Sequence, residues 1–81
     1  MKLLYVEWED VFTIPEWTSL SRLEEICNQE PFTVNETGFL VAENKDYIVM
    51  ATRLDGDGIP GDVVKIPKRL ILKRKDLSKH V

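Results

Sequence analysis

Carboxylates and glycines crowd one stretch of this 81-residue sequence, Asp55-Gly56-Asp57-Gly58-Ile59-Pro60-Gly61-Asp62. Aspartates two apart on a sharply bent backbone are how a calcium loop offers oxygens to a hard cation. A calcium loop between two helices needs oxygen donors at positions 1, 3 and 5, glycine at 6 and glutamate at 12. Counted from Asp55, positions 5, 6 and 12 are Ile59, Pro60 and Ile66, so the pattern fails at each of them. Glycines that permit positive φ, a proline that fixes φ and aspartates that accept from nearby N–H groups instead specify a hairpin connection. Its length leaves it one functional use, because long loops on small folds often carry binding contacts.

The other reactive side chains are badly placed for catalysis. His80 is the sole histidine and lies one residue from the end of the sequence, where chains fray, so it makes a poor general base. Without it, no serine or cysteine nucleophile has a partner to activate it. Glu7, Glu9 and Asp10 are acids at a strand end, the usual composition of a solvated rim. There is no glycine loop leading to Lys-Ser or Lys-Thr that would cradle phosphate, and no histidine-containing metal spacing. The reading is of a protein that is not an enzyme and takes no cofactor or metal.

The elements that position these residues follow from hydrophobic period. Leu4, Val6 and Trp8 alternate with Tyr5, Glu7 and Glu9, as in a strand with one buried face. Thr18, Ser19 and Ser21 are possible helix caps, Ser21 and Glu24 have capping-box spacing, and Leu20, Leu23, Ile26 and Cys27 recur every three to four residues. A short helix is expected there, laying that stripe on the sheet with Cys27 buried; Pro31 ends it. From Phe32 onward the pattern is strand-like. Phe32 and Val34 lead into 37–42, with Gly38 marking a bulge or bend. Asn44-Lys45-Asp46 turns the chain into 47–52. After the aspartate-glycine loop come Val63 to Ile66, the link Pro67-Lys68, and Leu70 to Lys73. The expected fold is mainly β with one short helix, a five-stranded antiparallel barrel over residues 1–81 as a single domain.

Composition bounds the setting. The 43% hydrophobic and 31% charged residues are ordinary for a globular chain. A single cysteine excludes an internal disulfide or a cysteine-built zinc site. The opening MKLLYVEWED meets Glu7 after only four apolar residues, too few for a signal peptide or a membrane span. No membrane is expected, and Asn35-Glu36-Thr37, a glycosylation-acceptor pattern, is idle. Charge is unevenly placed: residues 1–50 carry ten acidic and three basic side chains, and residues 51–81 four acidic and eight basic. Such asymmetry points either to an acidic partner or to pairing of the two halves.

The run 38–51 (GFLVAENKDYIVMA), followed by Gly61-Asp62 and Ile66-Pro67-Lys68-Arg69-Leu70-Ile71, resembles a family of small uncharacterised bacteriophage-encoded proteins. Trp8-Glu9-Asp10 and Trp17 resemble that family's opening segment. The resemblance implies a phage or prophage origin and hence the cytoplasm of a bacterial host, without implying an activity. A bent hairpin, a glycine-rich loop and an Ile-Pro-Lys link into a short last strand are also similar to SH3-like and Sm-like barrels. In such a barrel the first and last strands pair antiparallel. Leu70 and Leu72 then face the core, while Arg69, Ile71, Lys73 and Lys75 face outward opposite Tyr5, Glu7 and Glu9. Acid and base neutralise each other across that ladder, at roughly 0.2–1 kcal/mol per pair.

Two functions fit. The first is a phage accessory protein that binds a protein partner or itself, because a core this small is commonly completed by association. The alternative is an oligomeric, Sm-like nucleic-acid-binding barrel that gathers Arg69, Lys73 and Lys75 from several copies, with Tyr47 or Phe39 as a stacking platform. A pI near 5.1 counts against it, and Phe39 and Trp8 read as core. The candidate binding surface comprises Trp17, Tyr47, Ile59, Arg69, Ile71, Lys73 and Lys75. Trp17 is either an interface anchor or a lid over the barrel end, with the lid preferred.

Overall fold

A computed structural model describes residues 1–11 and 17–78. Five strands and one helix form, in the order β1 (Leu3–Glu9), α1 (Leu20–Cys27), β2 (Thr33–Glu43), β3 (Tyr47–Leu54), β4 (Pro60–Pro67) and β5 (Ile71–Asp76). A 3-10 turn, η1 (Lys68–Leu70), joins β4 to β5. All ladders are antiparallel in one sheet with spatial order β4-β3-β2-β1-β5. The first and last strands do lie side by side, with Tyr5 opposite Lys75 and Glu7 opposite Lys73. No ladder joins β4 to β5, so the sheet is open rather than the closed barrel expected.

Alternation decides which face is covered. Residues directly opposite in an antiparallel ladder share a face, so Leu4, Val6, Ile48, Met50 and Ile66 fall together on one side, where all five are buried. Trp8, Leu40, Val64 and Ile71 pack around them. Among the described residues no second layer covers this core, since α1 contributes no buried residue. The sheet must therefore curl over its own side chains. Two ladder irregularities assist: Val41 is extra between Leu40 and Ala42 in β2, and Leu72 is extra where β5 passes Glu7 and Trp8. Each added residue bends its strand and increases the local twist.

Gly38, expected to mark a bulge or bend, is not the bulged residue, which is Val41. The role of Gly38 is close approach: a Cβ there would sit 2.6 Å from the Ala51 carbonyl oxygen, inside contact distance. The aspartate-glycine segment is the expected turn. The Asp55 carboxylate accepts from the N–H groups of Asp57 (2.8 Å) and Ile59 (2.9 Å), and Gly58 adopts φ +80.

The phase of β5 differs from expectation. Ile71 lies opposite Trp8 and packs on the core, whereas Leu72 is 54% exposed. The extra residue in the β1–β5 ladder shifts the alternation by one, so Leu72 loses the inward place assigned to it and Ile71 takes it. Leu70 belongs to η1 rather than to the strand.

Candidate interaction surface

The most exposed apolar side chains gather in the excursion between β1 and β2. A backbone hydrogen bond from Asp10 N–H to Phe32 C=O (2.8 Å) closes its base, and of the described residues Val11 and 17–31 lie beyond it as an arm. On this arm and at its base Val11, Trp17, Leu20, Leu23 and Phe32 are all exposed. Trp17 reaches 103% exposure, so it forms no lid and is free to act as an anchor.

The helix of the arm forms for local reasons. The Ser19 hydroxyl oxygen accepts from Arg22 N–H at 3.3 Å, capping the first turn. At the other end Asn28 N–H bonds back to Glu24 and Glu25 carbonyls, and the Asn28 side chain donates to Glu24 C=O at 3.0 Å. The expected stripe is present in sequence but meets no sheet: Leu20 is 79% and Leu23 45% exposed, and Cys27 is exposed rather than buried. Only Ile26 is half-buried, in a cleft of about 270 Å³ at the arm's base shared with Glu9, Asp10 and Phe32. The physical reason is the sheet's own curl. Leu4, Val6, Ile48, Met50 and Ile66 are already covered by the sheet's own residues, so that face needs no helix over it.

The molecule's proportions agree with an outstanding arm. The radius of gyration is 16.2 Å and the extents are 51 × 23 × 23 Å, against roughly 12 Å for the radius of a compact chain of this length.

The basic C-terminal half is neutralised differently from expectation. Glu43, at the end of β2, takes both Arg74 oxygen-for-nitrogen (2.9 and 3.0 Å) and Lys68 Nζ (2.8 Å). In the ladder β1 lies between β2 and β5, so this pair crosses the concave side. The Arg74 guanidinium, and after it the Lys68 ammonium, hold the Glu43 carboxyl at a pKa of about 2, and Glu43 in turn raises that of Arg74. Glu7 is instead engaged by a neighbour: Tyr5 Oη donates to Glu7 Oε1 at 2.6 Å, and that bond raises the Tyr5 pKa. Arg69, Lys73 and Lys75 enter no ion pair among the described residues.

The expected surface residues therefore scatter. Trp17 lies on the arm, and Ile59 at the exposed β3–β4 turn. Tyr47 has Lys65 Nζ 4.3 Å from its ring centroid, so one ring face is already covered. Ile71 is withdrawn into the packing around the core, leaving Arg69 in η1 and Lys73 and Lys75 on β5, with Leu72 exposed among them. Leu20, Leu23, Leu72 and Glu43 were not in the expected set. The helix stripe was legible as amphipathic, but nothing in its spacing says whether a sheet covers it.

No protein-family model matches this chain, and neither do any curated protein or solved structure in comparisons of sequence and fold.

Proposed function

We propose that this protein is a non-enzymatic accessory module, of the phage type that its sequence resembles, which works by binding a protein through the arm. The observation that carries the reading is the exposure of Trp17, Leu20 and Leu23 on one short helical segment that the sheet leaves uncovered. Exposed apolar side chains grouped in this way are the usual mark of a protein interface, and tryptophan is a frequent anchor. The pairing of β1 with β5 and the three-residue link η1 between the two edge strands support a sheet related to the SH3-like and Sm-like barrels. The fold alone assigns no partner.

Photo-cross-linking tests the reading. With a benzophenone side chain at position 23, cells making the protein should yield a discrete protein adduct that disappears when Trp17 and Leu20 are changed to serine. A smear without a discrete adduct would sink it.

A second reading, nucleic-acid binding, draws on the unpaired Arg69, Lys73 and Lys75. It is disfavoured because Glu43 consumes Arg74 and Lys68, and Lys65 covers a face of Tyr47. Titration of single-stranded RNA and DNA at rising salt decides it: phosphate contacts give affinity that falls steeply with salt, and no measurable affinity at low salt ends this alternative.

A further inference from the structure

We propose that the arm's partner is a second copy of this chain, with α1 of each copy seated against β5 of the other. This rests on the interaction-module reading above and names its occupant.

Both halves of such an interface stand on one chain. The donor is apolar and acidic: Leu20 and Leu23 are exposed, Glu24 and Glu25 follow at once, Glu30 ends the segment, and Arg22 is its one cation from 17 to 32. The acceptor is apolar and basic. Leu72, pushed outward by the irregular ladder at Glu7 and Trp8, is exposed between Arg69 on one side and Lys73 and Lys75 on the other. These three cations enter no ion pair among the described residues, whereas Arg74 and Lys68 are committed to Glu43. Charge complementarity therefore selects β5 from the exposed surfaces. Near Ile59 in the β3–β4 turn and Val63 on β4, the other exposed apolar side chains of this region, the charged neighbours are Asp57, the Arg53–Asp62 pair at 2.6 Å and Lys65, whose ammonium is engaged over the Tyr47 ring, so fewer free cations stand there than on β5.

Position favours exchange between copies. Ile71 lies opposite Trp8, two residues from Asp10 where the arm departs, so Leu72 sits close to the root of the arm, while Leu20 and Leu23 stay exposed and α1 buries no residue against the sheet. A twofold axis beside that root lets each arm cross to the other copy's β5. Each chain then uses one donor and one acceptor, and the assembly closes at two. Leu20 and Leu23 cover Leu72, and the Glu24 carboxylate, one turn on from Leu20 and on the same face, meets Lys73 and Lys75, while Glu25 adds its charge from the far side of the helix.

Sedimentation equilibrium on the full chain is the test. The expected mass is twice 9.4 kDa, falling to one copy for L20S/L23S. E24K/E25K alone should weaken the dimer at least about tenfold, as should K73E/K75E alone, since opposed like charges weigh on both association and specificity. Combining the two reversals in one chain should restore affinity to within about threefold of wild type. Because K73E sets an acid opposite Glu7, K73Q/K75Q serves as the milder acceptor variant, and the arm changes touch no buried residue. A wild-type monomer at about 100 µM, far above the micromolar range of ordinary specific complexes, would overturn the proposal, as would a dimer indifferent to both charge reversals. The cross-link from position 23 separates the two readings. An adduct of twice the chain mass supports self-docking; a discrete adduct of another mass overturns self-docking and leaves the interaction-module reading standing; no adduct overturns both.

Discussion

Glu43 and Gly38 carry more of the structure than their residue types suggest. Glu43 draws the end of β2 toward β5 and η1 through Arg74 and Lys68. Its pKa is about 2 in the fold, below the ordinary 4.5, so the stabilisation it contributes is present above pH 4.5 and is lost as pH falls from there toward 2. Glu43→Gln should therefore lower the thermal midpoint at pH 7 and flatten the loss of stability between pH 4.5 and 2, read by circular dichroism melts across that range. A wild-type and variant difference unchanged from pH 7 to pH 2 would contradict it. Gly38 is needed because the Ala51 carbonyl oxygen occupies the place of a Cβ. Gly38→Ala should cost about 1–3 kcal/mol by urea denaturation, in the range for forced overpacking, since the obstacle is backbone and cannot rotate away.

The sequence made the elements legible at the scale of strands and helix, and failed where two elements meet. Alternation in 4–8, in 47–52 and in 63–66 placed β1, β3 and β4, and the stripe of Leu20, Leu23 and Ile26 placed α1, because period is a local property, although its cap is Ser19 and not the Ser21 of the capping-box spacing. The phase of β5 was not legible. One extra residue against β1 exchanges the roles of Ile71 and Leu72, and that shift depends on a partner strand some sixty residues away. For the same reason the covering of α1 and the reach of Glu43 to Arg74 could not be read, since both depend on how far the sheet curls. The candidate surface residues fared accordingly: Lys73 and Lys75 are exposed as expected, Trp17 is exposed although a lid was preferred, and Ile71 is half-buried. The shifted phase predicts that Ile71→Ala destabilises by about 1–3 kcal/mol, part of the range for truncating a buried aliphatic because Ile71 is only half-buried. Leu72→Ser should stay within about 0.5 kcal/mol of wild type, as surface changes do. Equal losses at the two positions in chemical denaturation would place the bulge elsewhere.

For the whole molecule, the sheet and the arm divide the work. Six apolar residues, Leu4, Val6, Ile48, Met50, Ala51 and Ile66, are buried among those described, and every one belongs to a strand. Replacing residues 11–32 by a short turn between Asp10 and Thr33 should therefore leave the sheet folded, with a cooperative thermal transition and a radius of gyration that falls from 16.2 Å toward roughly 12 Å in small-angle scattering. Loss of the transition would show that the arm, despite its exposure, supports the core.

The position of β1 between β2 and β5 sets the order in which this protein can be made. β1 is translated first, yet its second neighbour is translated last, and the bonds from Leu77 N–H to Leu3 C=O and from Leu3 N–H to the Ser78 hydroxyl tie the two extremes together. A ribosome-bound chain that has not released β5 holds a raw strand edge open to any extended peptide nearby. Contacts this distant in sequence also form slowly, so during synthesis β1 stands exposed as an edge that β5 later covers, and the finished sheet keeps only the edges of β4 and β5.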